Sequence, residues 1–309
     1  MAAADRPPMH PGQVAVPAEL LAQQVARQFP DLAGAPVRAL DSAGTVIAPY
    51  RIGEHLVARV PLVPEGGPEQ RDRAALEGSN ARQLAEHLPV EVSQLVAVGE
   101  PFEGYPGSWT VWTWVPGRSL DRTHLEDRTR LVRDLAAVLR AVQAIPTDGT
   151  SWNGIGRGGT PLAYTDWVRT SIRRSAHLIH PGAVTSVWER ALAAPPHQGP
   201  AVRIHGDPMP GNLVVRDGVL AGLIDIAPAS IGDPASDLAP AWTLLSSTQE
   251  RALFRELMSL DDAAWERGRG WALEMAIGGL HYYEHTNPVF FDLARRTLGT
   301  LLEHRSDSA

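Results

Sequence analysis

The chain has 309 residues, of which 44% are hydrophobic, and this length allows one large or two modest globular domains with substantial cores. A net charge of −7 without a dense run of Lys or Arg argues against nucleic acid as a partner. The absence of cysteine excludes a disulfide framework, thiolate chemistry and a sulfur-ligated zinc site, and we expect a cytoplasmic protein.

The N-terminal segment, residues 1–17, is rich in Ala and Pro and lacks the basic and apolar regions of a signal peptide. It is predicted to be a flexible tail. No apolar run in the chain approaches the roughly 20 residues that cross a bilayer, so we expect no membrane partner.

Short β-type runs separated by turn residues come next, over 37–40, 46–52 and 56–60. Their close spacing predicts a three-stranded antiparallel meander. Helical periodicity follows over 69–88, where Glu77 lies on the same stripe as apolar side chains. This part of the chain is therefore predicted to contain one helix, with a carboxylate facing the core.

Two further strand-like runs, 92–98 and 109–115, end at the turn dipeptide Pro116-Gly117. The boundary between two lobes is predicted there, with an N-terminal lobe over 18–115 and a C-terminal lobe over 116–309. The expected N-terminal lobe is thus a β-sheet with one helix.

The remaining chain is mostly helical by its periodicity. The predicted helices cover 125–145, 165–179, 183–193 and, after a β interlude at 202–226, the stretch 235–303 with a break at Asn287-Pro288. A small β-rich part followed by a larger helical part is an α+β arrangement by element order.

The segment IHGDPMPGNLVVRDGVLAGLIDIAPASIGDPASDL, residues 204–238, carries the polar groups with a chemical pattern. Asp217-Gly218 between two apolar runs predicts a two-residue hairpin turn, which would place residue 212 opposite residue 223. Alternation of side chains would then bring Asn212 and Asp225 to one face, about 7–8 Å apart at the backbone. An amide and a carboxylate oxygen so placed suit Mg²⁺.

Asp207 precedes Asn212 by five residues, in the H-x-D-x-x-x-x-N spacing that protein kinases use for a catalytic base and a metal ligand. A carboxylate beside the metal can orient an attacking hydroxyl and accept its proton. His205 is expected to order the loop backbone rather than to do chemistry. Asp237 precedes an apolar helix and is open to an N-capping interpretation.

These residues resemble the aminoglycoside and macrolide phosphotransferase family. The resemblance rests on HGDPMPGN at 205–212 and IDIAPASIGDPASDL at 224–238, and it extends over roughly residues 20 to 303. It implies a protein-kinase-like two-lobed fold in which Asp207 is the catalytic base and Asn212 with Asp225 holds Mg²⁺. It also implies ATP or GTP as the phosphate donor.

The resemblance further implies a nucleotide site in the N-terminal lobe. Arg59 stands where kinases carry a phosphate-binding Lys, and Glu77 would be its partner from the helix, although a purely structural ion pair is the alternative. The other implied nucleotide-binding residues are Ser42, Gly44 and Thr45 of a loop that could equally be an ordinary hairpin turn, and Thr113 and Val115 of the hinge between the lobes.

The sequence says less about the molecule that accepts the phosphate than about the nucleotide. Glu274, Tyr282 and Glu284 are candidate substrate-binding residues, since carboxylates suit a polycationic aminoglycoside and aromatic rings a macrolide. Three functions stay open: an antibiotic O-phosphotransferase, a metabolic small-molecule kinase, and a catalytically silent nucleotide-binding scaffold. A hydrolase is excluded because the chain has neither Cys nor a G-x-S-x-G elbow. The expected oligomeric state is a monomer or a weak dimer.

Overall fold

A computed structural model describes residues 8–123, 125–152, 154, 156–227 and 229–303. The chain divides into two compact units. Unit 1 runs to Glu86 and resumes over Glu91–Pro116, and unit 2 comprises His87–Val90 and the chain from Gly117 onward.

Unit 1 is built on an antiparallel sheet whose strand order is β1-β2-β3-β6-β5. Its strands are β1 (Val37–Ala39), β2 (Ile47–Ile52), β3 (Leu56–Pro61), β5 (Leu95–Gly99) and β6 (Trp109–Thr113), and a short strand β4 (Glu91–Val92) lies between β3 and β5 in sequence. The predicted meander is confirmed, because β1 pairs with β2 and β2 with β3, all antiparallel.

Two helices accompany this sheet, one more than the sequence pattern predicted. The expected helix is α2 (Pro68–His87), and Ala81 and Leu84 on its apolar stripe are buried. The additional helix is α1 (Ala18–Gln28), in which only Leu21 and Val25 are buried apolar residues. Two apolar contacts in eleven residues give too weak a periodicity to identify a helix from the sequence.

The core of unit 1 joins α1 to the sheet. Leu21 and Val25 of α1 pack in one buried cluster with Trp109 of β6. The chain before α1 contributes as well: Val16 is buried, and its carbonyl accepts a hydrogen bond of 2.6 Å from the Tyr50 hydroxyl. Residues 8–17 of the predicted tail thus contact the unit, and residues 1–7 lie outside the described part of the chain.

Unit 2 is mainly helical. Its helices are α3 (Arg128–Ala144), α4 (Thr165–Arg174), α5 (Pro181–Ala193), α6 (Pro240–Thr243), α7 (Thr248–Leu257), α8 (Asp262–Tyr283) and α9 (Pro288–Glu303). Most residues of α8 are buried, so this helix forms the centre of the unit. Pro288 begins α9 as the predicted break requires, since proline fits the first turn of a helix.

Short strands are embedded among these helices. They are β7 (Arg118–Ser119), β8 (Val202–Ile204), β9 (Leu213–Arg216), β10 (Val219–Leu223) and β11 (Ser230–Gly232). Strand β9 pairs with β7 and β10, and β8 pairs with β11. The α+β fold class predicted from the element order is confirmed by this arrangement of a β-rich unit and a mainly helical one.

The β9–β10 hairpin has the predicted turn but not the predicted register. Asp217 and Gly218 both have positive φ, 52° and 79°, as a two-residue turn of this kind needs. A bulge between Leu220 and Gly222 then shifts the pairing by one residue, so that Leu213 is opposite Leu223. Residue 212 therefore does not face residue 223. The prediction that alternation of side chains brings Asn212 and Asp225 to one face is wrong.

None of the helices in the described ranges has the length and apolar character that crossing a membrane requires.

Candidate active site

The loop after β8 is held in place by a carboxylate more than thirty positions away. Asp237 is fully buried, and its oxygens accept hydrogen bonds from the backbone N–H groups of His205 at 2.8 Å and Gly206 at 2.7 Å. Burial raises the pKa of Asp237, while His205 and the two N–H groups act in the opposite direction. The N-capping interpretation is wrong, because the residue before α6 is Ala239 and no side chain caps that helix.

His205 is also fully buried and connects the loop to the end of the hairpin. Its Nδ1 accepts a hydrogen bond from the backbone N–H of Asp207 at 3.2 Å. Its Nε2 lies 3.2 Å from the carbonyl oxygen of Ile224, to which it donates in the corresponding tautomer. The two ring nitrogens thus tie the backbone of the loop to the end of the hairpin.

The Asp207 side chain is a quarter exposed, and each of its oxygens has a partner. Arg157 Nη1 lies 3.2 Å from Oδ1, and Asn212 Nδ2 donates to Oδ2 at 3.1 Å. Burial raises the pKa of this carboxyl, and the nearby charge of Asp225 adds to the rise, whereas the Arg157 guanidinium opposes it. The carboxylate is therefore oriented on both sides while still open to solvent.

Asn212 contacts Asp207 directly, whereas Asp225 acts on it through its charge. Asn212 ends a 3-10 helix, Pro210–Asn212, and its amide nitrogen donates to both the carbonyl and the carboxylate of Asp207. Asp225 follows β10 with φ of 59°, a left-handed conformation in which Asp is tolerated better than most residues. The backbone at this residue is therefore not extended, and the alternation rule for strands does not apply to the Asp225 side chain.

The donor set suits a magnesium ion. The amide nitrogen of Asn212 donates to two oxygens of Asp207, so its amide oxygen takes no part in these bonds and could serve as a ligand. Within the described residues there is no cluster of three or more His, Asp or Glu that could hold a metal. Mg²⁺ commonly takes only one or two protein ligands, with phosphates and water completing its shell, so an Asn and an Asp are sufficient.

In unit 1, Arg59 and Glu77 form an ion pair between β3 and α2, through Nη1 and Oε1. Both side chains are only 15% exposed. The Arg59 guanidinium also lies over the Trp112 ring, 5.1 Å from its centroid. Since planar guanidinium groups stack on aromatic faces, the ring and the carboxylate together define the position of the cation.

Two backbone groups of the loop at 42–45 are already engaged in hydrogen bonds, one within the loop and one with His10. The backbone N–H of Gly44 donates to Ser42 Oγ at 2.9 Å, and the carbonyl of Thr45 lies 2.5 Å from His10 Nε2. The Gly44 N–H therefore points at a neighbouring side chain in this conformation, and an anion would have to displace the Ser42 hydroxyl to reach it.

Thr113 is the last residue of β6, and Val115 follows just beyond the strand. Both backbone groups of Thr113 form hydrogen bonds. Its N–H donates to the carbonyl of Gln94 at 2.8 Å, and its carbonyl accepts from Ser93 Oγ at 2.6 Å. Val115 is buried and lies two residues further on. Thr113 consequently stabilises the end of β6, an interior strand of the sheet, and both of its backbone groups are engaged there.

The three residues suggested for the acceptor differ in their surroundings. Glu274 is buried in α8, where its Oε2 accepts from Arg157 Nε at 3.2 Å, and burial raises its pKa. Glu284 Oε2 is 3.0 Å from Nε2 of His177. Tyr282 is 40% exposed, and its ring packs edge-on against the next tyrosine.

Arg157 was missed by the sequence analysis. It lies in a 3-10 helix, Gly156–Gly158, and contacts two of the predicted site residues, Asp207 and Glu274. Burial would lower its pKa, but these two carboxylates outweigh that effect and raise it. The only signal for this position in the sequence is the glycine-rich run around it, which has no periodicity and no motif spacing.

Comparison with solved structures shows the same fold in known phosphotransferases. The GDP and kanamycin complex of APH(2")-IIIa matches with a TM-score of 0.64 and 17% identity, covering 94% of this chain and 99% of that one. Macrolide 2'-phosphotransferase MphH from Brachybacterium faecium matches with a TM-score of 0.58 and 19% identity, covering 91% and 97%.

A thermostable mutant of APH(4)-Ia, in a ternary complex with AMP-PNP and hygromycin B, matches with a TM-score of 0.61 and 16% identity, covering 93% of this chain and 99% of that one. No curated protein sequence matches the chain significantly. The model of the phosphotransferase enzyme family matches residues 49–271, which is more than half of the chain. The protein therefore belongs to the phosphotransferase enzyme family.

Proposed function

We propose that the protein is an O-phosphotransferase that moves the γ-phosphate of ATP or GTP to a hydroxyl of a small molecule, with an aminoglycoside or macrolide antibiotic as the acceptor. The observation that carries the proposal is the Asp207 carboxylate, which is held on one oxygen by Arg157 and on the other by Asn212. A carboxylate so fixed and still partly exposed is suited to receive the proton of an incoming hydroxyl.

In the proposed reaction, the acceptor hydroxyl donates a hydrogen bond to Asp207. A bond forms between the hydroxyl oxygen and the γ-phosphorus, the bond from that phosphorus to its bridging oxygen breaks, and the electron pair leaves with the nucleoside diphosphate. The hydroxyl proton passes to Asp207. The transition state is loose, so positioning and charge stabilisation supply most of the rate.

Asn212 and Asp225 are the residues that would hold Mg²⁺. When bound, Mg²⁺ neutralises charge on the phosphate oxygens. In unit 1, the Arg59 guanidinium would contact phosphate oxygens, with Glu77 and Trp112 fixing its position. The backbone of Val115 would meet the base, and the loop at 42–45 would contact the phosphates if Ser42 releases the Gly44 N–H.

The acceptor is proposed to bind mainly through shape and apolar contact. Glu274 is engaged by Arg157 and Glu284 by His177, so neither carboxylate is presented by itself to a substrate amine. Tyr282 is 40% exposed, and Trp167 of α4, whose ring lies 6.2 Å from that of His281 next to Tyr282, is 42% exposed. This distribution favours the macrolide type of acceptor over a polycationic one.

The test is a turnover assay of the purified protein with Mg²⁺ and either ATP or GTP. The panel should contain kanamycin, hygromycin B, a macrolide, a sugar and an amino alcohol. We expect release of nucleoside diphosphate together with an antibiotic that gains one phosphoryl group by mass spectrometry, and a turnover that is about 10²–10⁴-fold lower with Asp207→Asn. Phosphorylation of only the sugar or the amino alcohol would identify a metabolic kinase instead, and nucleotide binding without any product would identify a silent scaffold.

A further inference from the structure

The guanidinium of Arg157 makes three contacts, two of which are with the loop after β8 that carries Asp207, called here the catalytic loop. Its Nη1 donates to the carbonyl of Gly206 at 3.1 Å and to Oδ1 of Asp207 at 3.2 Å. On its other side, Nε donates to Oε2 of the buried Glu274 at 3.2 Å. The guanidinium is thus held by one backbone carbonyl and two carboxylates.

The backbone of Arg157 is anchored to the same turn that anchors the catalytic loop. Its carbonyl accepts a hydrogen bond from the hydroxyl of Ser236, the neighbour of Asp237. The next carbonyl, that of Gly158, accepts from the N–H of Asp233 at 3.2 Å. One turn therefore sets the distance between Arg157 and the loop that carries Asp207.

The packing at this anchor allows little adjustment. A Cβ atom at Gly232 would lie 1.8 Å from the carbonyl oxygen of Gly158, so the two backbones are in direct contact. Such a contact excludes any side chain between the Arg157 segment and β11. The Arg157 side chain is consequently projected from a rigid support.

We propose that Arg157 is the positioning residue of the catalytic base, which orients the Asp207 carboxylate for the acceptor hydroxyl, and that Glu274 holds the Arg157 guanidinium in place. This inference rests on the proposed function. It also gives Glu274 a role other than binding the acceptor.

Arg157 can orient Asp207 because it restricts rotation of the Asp207 carboxylate about its Cβ–Cγ bond. Arg157 binds Oδ1 and Asn212 binds Oδ2, so rotation of the Asp207 carboxylate would break two hydrogen bonds. Loss of Arg157 leaves only Asn212 to orient the group. A misplacement of about 1 Å at a reacting group can cost about 10²-fold in rate, and this sets the expected scale.

The kinetic test compares Arg157→Ala, Arg157→Lys and Glu274→Gln with the parent, using the panel compound that the parent phosphorylates. We expect kcat to fall about 10²-fold in Arg157→Ala, with the nucleotide KM within about two-fold of the parent. Arg157→Lys should retain part of kcat, and added methylguanidinium should restore part of it to Arg157→Ala. A fall in melting temperature with unchanged kcat would overturn the proposal.

Arg128→Ala is the matched control. Arg128 forms an analogous set of contacts, with the carboxylate of Glu250 at 2.9 Å and the carbonyl of Leu244 at 2.9 Å, and neither partner belongs to the loop that carries Asp207. This variant should lose stability but keep kcat. A loss of kcat equal to that of Arg157→Ala would show that any such pair has the same effect and would contradict a specific positioning role.

A double-variant cycle shows whether Arg157 acts through the base. In the Asp207→Asn background, Arg157→Ala should lower kcat by no more than a few-fold, because the group that it orients is already gone. If Arg157→Ala lowers kcat by the same factor in the Asp207→Asn background as in the parent, the two residues act independently and the proposal is overturned.

A crystal structure of Arg157→Ala tests the inference without any turnover. We expect the Asp207 carboxylate to rotate away from its parent position in Arg157→Ala, and an unchanged position would overturn the proposal. If the parent phosphorylates nothing, the proposed function fails on the assay alone, while the position of Asp207 in these crystals still decides the structural role of Arg157.

Discussion

The two carboxylate oxygens of Asp237 accept hydrogen bonds from the backbone N–H groups of His205 and of the next residue, and the Asp237 side chain is fully buried. An amide in its place would direct an NH₂ group at one of the two N–H donors. We therefore expect Asp237→Asn to lower the free energy of unfolding by about 1–3 kcal/mol, the cost of an unsatisfied buried donor. Urea unfolding measures this. Asp262→Asn is the control, because its side chain is 96% exposed, and an equal loss in both variants would contradict the anchoring role.

Asp207→Asn should lower kcat by about 10²–10⁴-fold, the usual contribution of a general base. The amide keeps the size of the side chain but cannot take the proton from the acceptor. Nucleotide Kd should change little, because the proposed metal ligands Asn212 and Asp225 remain. The measurement is kcat together with nucleotide Kd, and activity within a few-fold of the parent would contradict a catalytic role.

Asp225→Asn should abolish turnover and remove the part of nucleotide binding that depends on Mg²⁺. Asn tolerates the left-handed backbone at φ of 59°, so this variant changes the ligand without straining the chain. Nucleotide Kd should be measured with Mg²⁺ and after chelation, and the two values should converge in the variant. Asp217→Asn is the control, since Asp217 has a similar φ of 52° at the far end of the same hairpin. Full activity of Asp225→Asn would exclude the proposed site.

Arg59→Ala should raise the nucleotide KM, because a phosphate contact is lost. Arg71→Ala is the comparison within unit 1, since Arg71 pairs with Glu100 while more than half exposed. Such exposed pairs contribute little, so that variant should resemble the parent. If Arg59→Ala leaves the nucleotide KM unchanged but lowers the melting temperature, the pair with Glu77 is structural.

Glu250 should make stability dependent on pH in the acid range. Burial would raise its pKa, but hydrogen bonds from Arg128 and from the backbone N–H of Ser246 outweigh this and lower it. A carboxyl with a lowered folded pKa stabilises the native state above the unfolded pKa of about 4.3, and this contribution is lost as pH falls through the folded value. The difference in unfolding free energy between the parent and Glu250→Gln should therefore shrink as pH falls below about 4. A difference independent of pH would contradict this.

The sequence predicted most elements because their patterns are local. The helix over Pro68–His87 and the first three strands were found within one or two residues, since their apolar periodicity extends over each whole element. The register of the β9–β10 hairpin was wrong after the turn, because a bulge at one residue is invisible to an alternation rule that assumes regular pairing.

The polar contacts of the site were predictable only in part. The H-x-D-x-x-x-x-N spacing identifies Asp207 and Asn212 because both lie on one short loop. Arg157 contacts that loop and Glu274 contacts Arg157, both from other parts of unit 2, and no spacing in the sequence encodes such contacts. The same holds for Asp237, whose position before a helix suggested a local cap while its partners are distant in sequence.

These distant partners have a consequence for the order of events in folding. His205 and Asp237 are 32 positions apart, and Arg157 and Glu274 are 117 positions apart. Closing such loops costs entropy before the contacts can form, so the geometry around Asp207 cannot be assembled by the catalytic loop itself. During refolding from urea, helical circular dichroism should therefore return before turnover does. Recovery of activity would then mark the formation of the contacts around Asp207, which form last.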